Sequence, residues 1–343
     1  MIDPYLALGR ERFVINPDAK YLTGRRVLVT GAGGSIGSEL CRRLATYDLR
    51  ELAMLDRDES ALHSTQLSIS KQALLTDDTI ILGDIRDERS TLRVFQKIRP
   101  EIVFHAAALK HQPLLERYPH EAIKVNVIGT MNVIRAAIFS GAKRFINIST
   151  DKAADPTCVL GASKRIAEQV VASFHPDRCV SVRFGNVFAS RGSAVETFIW
   201  QIKNDEWITI TSPEMFRYFI TKDEAIDLLI HCGSIGTSGD VMIMDMGKPI
   251  HIAGLAQRIA DQLNLPAKIV YTGIRGGEKT YEVLYGIDEC IKNTEHPLIS
   301  YAKVPLMTRT LGDAVDLSDD ATLVGRQLVE LANGENDSNS HHW

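Results

Sequence analysis

A chain of 343 residues, 45% apolar and 24% charged, is long and apolar enough to bury a core of ordinary density, which excludes intrinsic disorder as a description of the whole. The formal net charge of -4 leaves no basic footprint for nucleic acid, and the five cysteines form no C-x-x-C pair, so neither a nucleic-acid partner nor a bound metal is expected. Scattered thiols, a charged start (Asp3, Arg10, Glu11, Arg12, Asp18) and no uninterrupted apolar run of spanning length predict a cytoplasmic protein with no membrane contact.

Residues 1–22 read as a leader. The β-branched run Arg26-Val27-Leu28-Val29-Thr30 then breaks into glycines between 31 and 37, and a helix is predicted over 35–47. Runs at 51–56, 79–82, 101–106, 144–149 and 179–184 each read as buried strands separated by helical stretches. Such alternation builds an α/β fold, a Rossmann-type doubly wound parallel sheet, because parallel neighbours need a crossover helix between them. This dinucleotide-binding domain is expected to occupy mainly 23–186.

Beyond Asn186 the rhythm loosens. A helix is predicted at 193–203, a strand at 208–211, and a helix from Thr221, whose hydroxyl and Glu224 form a capping-box pattern. Strands at 241–244 and 268–271 bracket a helix at 251–263. The stretch 187–332 is therefore expected to be mainly a smaller mixed α/β lobe that binds substrate, with some segments returning to the main sheet. The polar tail 333–343 is expected to be disordered, its histidines solvated.

The segment Thr30-Gly31-Ala32-Gly33-Gly34-Ser35-Ile36-Gly37 sits where a strand turns into a helix, so glycines let backbone approach a pyrophosphate at the helix N-terminus. Gly31, Gly34, Ser35, Ile36 and Gly37 are the expected contacts. Asp56, ending the next strand, is placed to accept from an adenosine ribose and favours NAD, whereas the adjoining Arg57 would attract a 2′-phosphate, so NADP is the weaker expectation. Asp84 and Ile85 follow the third strand on the adenine side, although an acid there is also a common helix cap.

The motifs VLVTGAGGSIGSEL (27–40), FHAAALKH (104–111), NVIGTMNV (126–133), ISTDKA (148–153), GASKR (161–165), VRFGNV (182–187), SRGS (190–193), RYF (217–219) and GEK (277–279) together resemble the extended short-chain dehydrogenase/reductases. Within them, the chain is similar to the polysaccharide-biosynthesis dehydratases that act on UDP-N-acetylglucosamine. The resemblance implies a tightly held NAD that oxidises the sugar at C4. Water then leaves across C5 and C6 and hydride returns to C6, giving a UDP-4-keto-6-deoxy-N-acetylhexosamine. It also implies a UDP-sugar as the small-molecule partner. A homo-oligomer is implied as well, with its interface on the helices after the fourth and fifth strands.

On that resemblance Asp151 is the acid for the departing C6 hydroxyl and Lys152 the base for C5, which requires an Asp that holds a proton and a Lys that releases one near neutrality. Thr150 is placed to hydrogen-bond the C4 oxygen, and Lys164 to hold the nicotinamide ribose. The family signature Tyr-x-x-x-Lys is broken, because Leu160 stands where the tyrosine belongs. A hydrocarbon accepts no proton, so the C4 base falls to Lys152, Asp151 or a water ordered by Thr150, with the Asp151/Lys152 pair favoured.

Ala106, Ala107, Ala108 and Asn126 are expected beside the cofactor, Asn126 through helix backbone and a water. On the substrate side, Arg191, Arg217 and Arg275 suit a diphosphate through planar guanidinium forks. Asn186, Glu278, Lys110 and His111 are further expected contacts. Three readings stay open: a 4,6-dehydratase, a related UDP-sugar epimerase or 5,6-dehydratase using the same 4-keto intermediate, and a non-catalytic binder of cofactor or sugar nucleotide.

Overall fold

Nine strands join in one sheet in a computed structural model that describes residues 2–72, 74–174, 179–307 and 311–334. In chain order they are β1 (Arg26–Thr30), β2 (Glu51–Asp56), β3 (Ile80–Leu82), β4 (Ile102–His105), β5 (Arg144–Ile148), β6 (Cys179–Arg183), β7 (Asp240–Met244), β8 (Lys292–Asn293) and β9 (Ile299–Lys303). The order across the sheet is β8-β9-β7-β6-β5-β4-β1-β2-β3. Strands β1 to β7 run parallel, and β9 pairs antiparallel with both β7 and β8. The expected doubly wound α/β sheet is therefore present, and the order in which strands are added switches sides between β1 and β4, where such sheets open a ligand crevice.

Side-chain alternation splits the core into two faces. Leu28, Leu55, Val103 and Phe145 point into one cluster with helices Glu88–Ile98, Thr130–Phe139 and Val159–Ser173. Val27, Val29, Phe104, Ile146, Val182 and Met244 point into the other, under helices Ser35–Leu44 and Lys222–Ile235. Thr221 and Glu224 form the capping box that the sequence indicates.

A third cluster lies outside the sheet. Leader residues Ala7 and Leu8 pack there with Phe198, Ile210, Leu255 and Ile259. Arg10 reaches Glu224 at 2.7 Å on helix Lys222–Ile235, and Leu22 packs in the second face's cluster, so the leader runs from the lobe back to the sheet.

Three expectations change. Helix Val159–Ser173, proposed as part of an oligomer interface, is buried almost end to end, and the C-terminal helix Ala321–Asn333 contributes Val324, Leu328 and Ala332 to the cluster that covers it. Helical residues Pro119–Phe139 do reach the length and apolarity of a membrane span, but 67% of that window is buried within the fold. Asn333, expected in the disordered tail, instead ends a helix capped by Gly334; residues 335–343 of that tail lie outside the described residues.

Candidate active site

Gly31 has φ +69°, and a Cβ there would stand 2.5 Å from the Ala107 nitrogen; a Cβ on Gly37 would stand 2.0 Å from the Gly31 carbonyl oxygen. Only glycine lets this turn lie against the end of β4. Gly34 caps helix Ser35–Leu44, whose first N–H groups have no partner within the helix and favour an anion. Asp56 accepts from Gly33 N–H at 2.8 Å and from Asp58 N–H at 3.0 Å on separate oxygens, which fixes the loop and leaves lone pairs for a ribose.

Gly31, Gly34, Asp56, Arg57, Asp84, Ile85, Ala106, Ala107 and Ala108 line one cleft of about 220 Å³. Its glycine floor, helix N-terminus and strand-end carboxylate fit a dinucleotide. Hydrogen bonding to the Arg86 guanidinium, 2.6 Å away, is the main force holding the Asp84 carboxyl below its usual range. Ile36 turns partly into the core, and Ser35 Oγ accepts from Arg191 N–H at 2.9 Å.

Behind the cleft lies an unforeseen buried relay. His105, 1% exposed, stands opposite Thr30 in the sheet; its Nδ1 is 2.7 Å from Thr30 Oγ1 and its Nε2 2.9 Å from Thr130 Oγ1. Thr130 donates to the Asn126 carbonyl at 2.7 Å, so it accepts from Nε2–H, and Nδ1 accepts from Thr30. Burial, with Lys164 adding to it, lowers this imidazole to about 3 and keeps it neutral. Asn126 is fully buried, its amide spent on the Leu109 backbone and Ser163 Oγ. It braces the backbone of Leu109, which lines the cleft.

At the end of β5 the Asp151 carboxyl gathers its neighbours. Thr150 Oγ1 donates to Asp151 Oδ1 at 2.9 Å, and Lys152 Nζ donates to the same oxygen at 3.0 Å. Asp151 is 1% exposed, and its Oδ2 is buried with no hydrogen-bond partner among the described residues. Lys152 departs from expectation: burial pulls its pKa down, but the Asp151 and Glu282 carboxylates outweigh burial and hold the ammonium above its ordinary value. In this arrangement it is a cation between two acids, where sequence reading expects an amine that deprotonates near neutrality.

Leu160 is 6% exposed and packs in the core, one turn before Lys164 on helix Val159–Ser173. Burial lowers Lys164 to about 8, partly opposed by Glu168. Tyr218 does not replace the missing phenol. It lies near Asp151 across Gly185, but burial and a hydrogen bond to Tyr281 raise its pKa, the wrong direction for a phenolate base.

On the substrate side the expected residues divide. Arg217 donates to the Phe216 carbonyl at 2.7 Å and lies 3.5 Å from Glu278 and 4.0 Å from Glu282. Arg275 and Glu278 line a separate hollow of about 340 Å³ with Gln112, Pro113, Glu116 and Gly276. Lys110 donates to the Arg191 carbonyl at 2.6 Å, and His111 packs over Gly192. Arg191, expected at the diphosphate, instead lines the cofactor cleft and reaches the Gly33 carbonyl at 3.3 Å. Asn186 sits on a short strand paired with Phe219–Ile220.

A buried ion network braces the turn after β5 from behind. Arg183, fully buried on β6, contacts Glu168 at 2.6 Å and Glu289 at 2.7 Å, and Glu168 accepts from Ser149 Oγ at 2.6 Å. An arginine inside the apolar run CVSVRF was the signal for it, since a charge on a doubly covered strand demands carboxylate partners. Glu282 had no comparable signal, because its contact with Lys152 joins segments far apart in sequence.

Sheet order, glycine loop and the strand-end Thr150-Asp151-Lys152 cluster together define an extended short-chain dehydrogenase/reductase. More narrowly, the chain belongs to the family described as polysaccharide biosynthesis protein, whose model matches residues 27–304. It is 41% identical over 294 residues to the capsular polysaccharide biosynthesis protein CapD of Staphylococcus aureus, covering 83% of this chain and 48% of that protein, so it spans about half that relative's length. A UDP-glucose 4-epimerase of Rickettsia rickettsii is 34% identical over 301 residues, covering 84% of this chain and 85% of the relative. The solved structure of Pen from Bacillus thuringiensis superposes with a TM-score of 0.75 at 31% identity, covering 83% and 89% of the two chains.

Proposed function

We propose that the protein is an NAD-dependent 4,6-dehydratase of UDP-N-acetylglucosamine, yielding a UDP-4-keto-6-deoxy-N-acetylhexosamine. The observation that carries this reading is the hydrogen-bonded Thr150-Asp151-Lys152 set beside a dinucleotide-shaped cleft, with a hydrocarbon at position 160. A bound nicotinamide would supply the hydride acceptor at C4 and the hydride donor at C6.

The protein's own groups manage protons. Thr150 holds the C4 oxygen and passes its proton to Asp151 Oδ1, 2.9 Å away. The same carboxyl then delivers that proton to the departing C6 hydroxyl, so water leaves and Asp151 is reset. This balance needs no phenol, which accounts for a site that works with Leu160. Lys152 removes the C5 proton and returns it when hydride reaches C6. As an ammonium it is ready for the return step; for the removal step it must first be neutral.

Arg217 and Arg275 are assigned to the diphosphate and Lys164 to the nicotinamide ribose. Asp56 favours NAD over NADP, because a carboxylate beside the ribose repels a 2′-phosphate. A second reading, a UDP-sugar 4-epimerase, is supported by the likeness to the Rickettsia UDP-glucose 4-epimerase. Incubation with UDP-N-acetylglucosamine followed by mass spectrometry separates them: loss of one water supports the dehydratase, and an isomer of unchanged mass supports the epimerase. Unchanged substrate with bound cofactor would support neither. Lys152→Ala is expected to abolish water loss while leaving cofactor bound.

A further inference from the structure

We propose that Arg191 is a latch on the cofactor: a second-lobe guanidinium that closes over the dinucleotide's pyrophosphate and slows its release, so that one cofactor serves successive turnovers. The inference rests on the NAD reading of the cleft and adds to it the residue that retains the cofactor. Every other described residue lining that cleft lies between positions 31 and 125, in the first domain; Arg191 alone comes from the second lobe. The cleft's other cation, Arg57, stands on the Asp84 side. Arg191 stands at the glycine loop. Its Nη2 donates to the Gly33 carbonyl at 3.3 Å, and its backbone N–H donates to Ser35 Oγ at 2.9 Å, on the first residue of helix Ser35–Leu44. Arg10, Arg183 and Arg217 each spend their guanidinium on a carboxylate. Arg191 pairs with no carboxylate among the described residues, so the rest of its fork is left to meet an anion beside the helix N-terminus.

The loop that carries Arg191 is held in place from several sides. Lys110 Nζ, from the segment after β4, donates to the Arg191 carbonyl at 2.6 Å, and Gly192 N–H donates to the Glu196 carboxylate at 2.7 Å. Gly192 has φ +69°, and a Cβ there would stand 2.8 Å from His111 Cε1, so the loop lies directly on the first domain. Ala189, at φ +49°, keeps a left-handed backbone that residues with a Cβ seldom adopt, and the surrounding contacts must impose it. A pyrophosphate matched by the helix N-terminus on one side and by Arg191 on the other leaves only when the loop lifts and gives up its bonds to Ser35 and Lys110. A hydride that returns to the sugar it came from needs such retention, because a cofactor exchanged in mid-cycle would strand the oxidised sugar.

The test follows release of radiolabelled NAD from the loaded full chain into excess unlabelled NAD, without sugar, for wild type, Arg191→Met and Arg191→Lys. Arg191 is exposed, so both variants keep the fold. Arg191→Met is expected to release the label at least tenfold faster, and Arg191→Lys, a point charge without the planar fork, at an intermediate rate. Competition against labelled NAD locates the contact. In Arg191→Met, adenosine diphosphate should compete as well as it does in wild type, since both ligands lose the same contact, whereas adenosine, which has no phosphate, should compete at least tenfold better. Affinity for UDP should stay within threefold of wild type. Label released from Arg191→Met at the wild-type rate overturns the proposal, as does adenosine that competes no better than before. A tenfold loss of UDP affinity in place of faster NAD release also overturns it and returns Arg191 to the substrate. Wild type that loads no NAD sinks this proposal and the cofactor reading together, whereas wild type that retains NAD and dehydrates no sugar sinks the dehydratase reading alone.

Discussion

Replacing Lys164 by methionine should make the protein more stable and less useful. The lysine is 4% exposed, and burial takes its pKa from the ordinary 10.5 to about 8. At about 1.36 kcal/mol per factor of ten in proton affinity, this fall corresponds to about 3 kcal/mol of destabilisation wherever the ammonium is forced into the core. Unfolded chains keep the proton up to about pH 10.5, whereas the folded protein drops it near 8, so stability rises with pH between those values. The penalty is therefore complete below pH 8 and gone above 10.5. Methionine matches the unbranched stem and carries no charge. Urea unfolding of wild type and Lys164→Met, run from pH 7 to pH 10.5, should show a gain of about 3 kcal/mol for the variant at neutrality that shrinks towards zero at high pH. A variant no more stable than wild type at pH 7, or a difference independent of pH, would refute the reasoning. Cofactor affinity should fall in the same variant, since an ammonium is kept in a costly place only where it binds something.

Gly37→Ala should force the loop off the end of β4 at a cost of about 1–3 kcal/mol and weaken NAD binding at least tenfold, measured by titration; unaltered affinity would mean the loop does not seat the cofactor. Arg183→Met should cost about 3 kcal/mol in chemical denaturation, because it removes the fully buried one of the two arginines that bridge Glu168 and Glu289 and leaves Arg165 alone beside them. His105, held near 3 in the folded state, stays neutral there while the unfolded chain takes up a proton below about 6.5. Stability should accordingly decline as pH falls below 6.5, and His105→Gln should lose that part of the decline in acid-unfolding curves.

The sheet was legible because its signals are local. Runs such as Val27-Leu28-Val29 and Ile102-Val103-Phe104, each followed by a helical stretch, specify parallel strands covered on both faces, and glycines with a following Asp56 mark the switch point. Strand-end residues Thr150, Asp151 and Lys152 were legible for the same reason. What distance in sequence hides is the charge on the Lys152 amine, which depends on Glu282 from the other lobe. Burial beneath the C-terminal helix was equally invisible, since nothing in residues 159–173 names the segment that covers them. Arg191 was misplaced because an arginine suits a diphosphate in either cofactor or sugar nucleotide; only the fold shows which one its loop adjoins.

The central claim is that two electrons leave C4 of the sugar and return to C6 of the same molecule. UDP-N-acetylglucosamine deuterated at C4 tests it directly. The account predicts a dehydrated product that carries the deuterium at C6, even with excess unlabelled NAD in solution. Deuterium released to free cofactor or solvent, or found again at C4 of an isomer of unchanged mass, would contradict it.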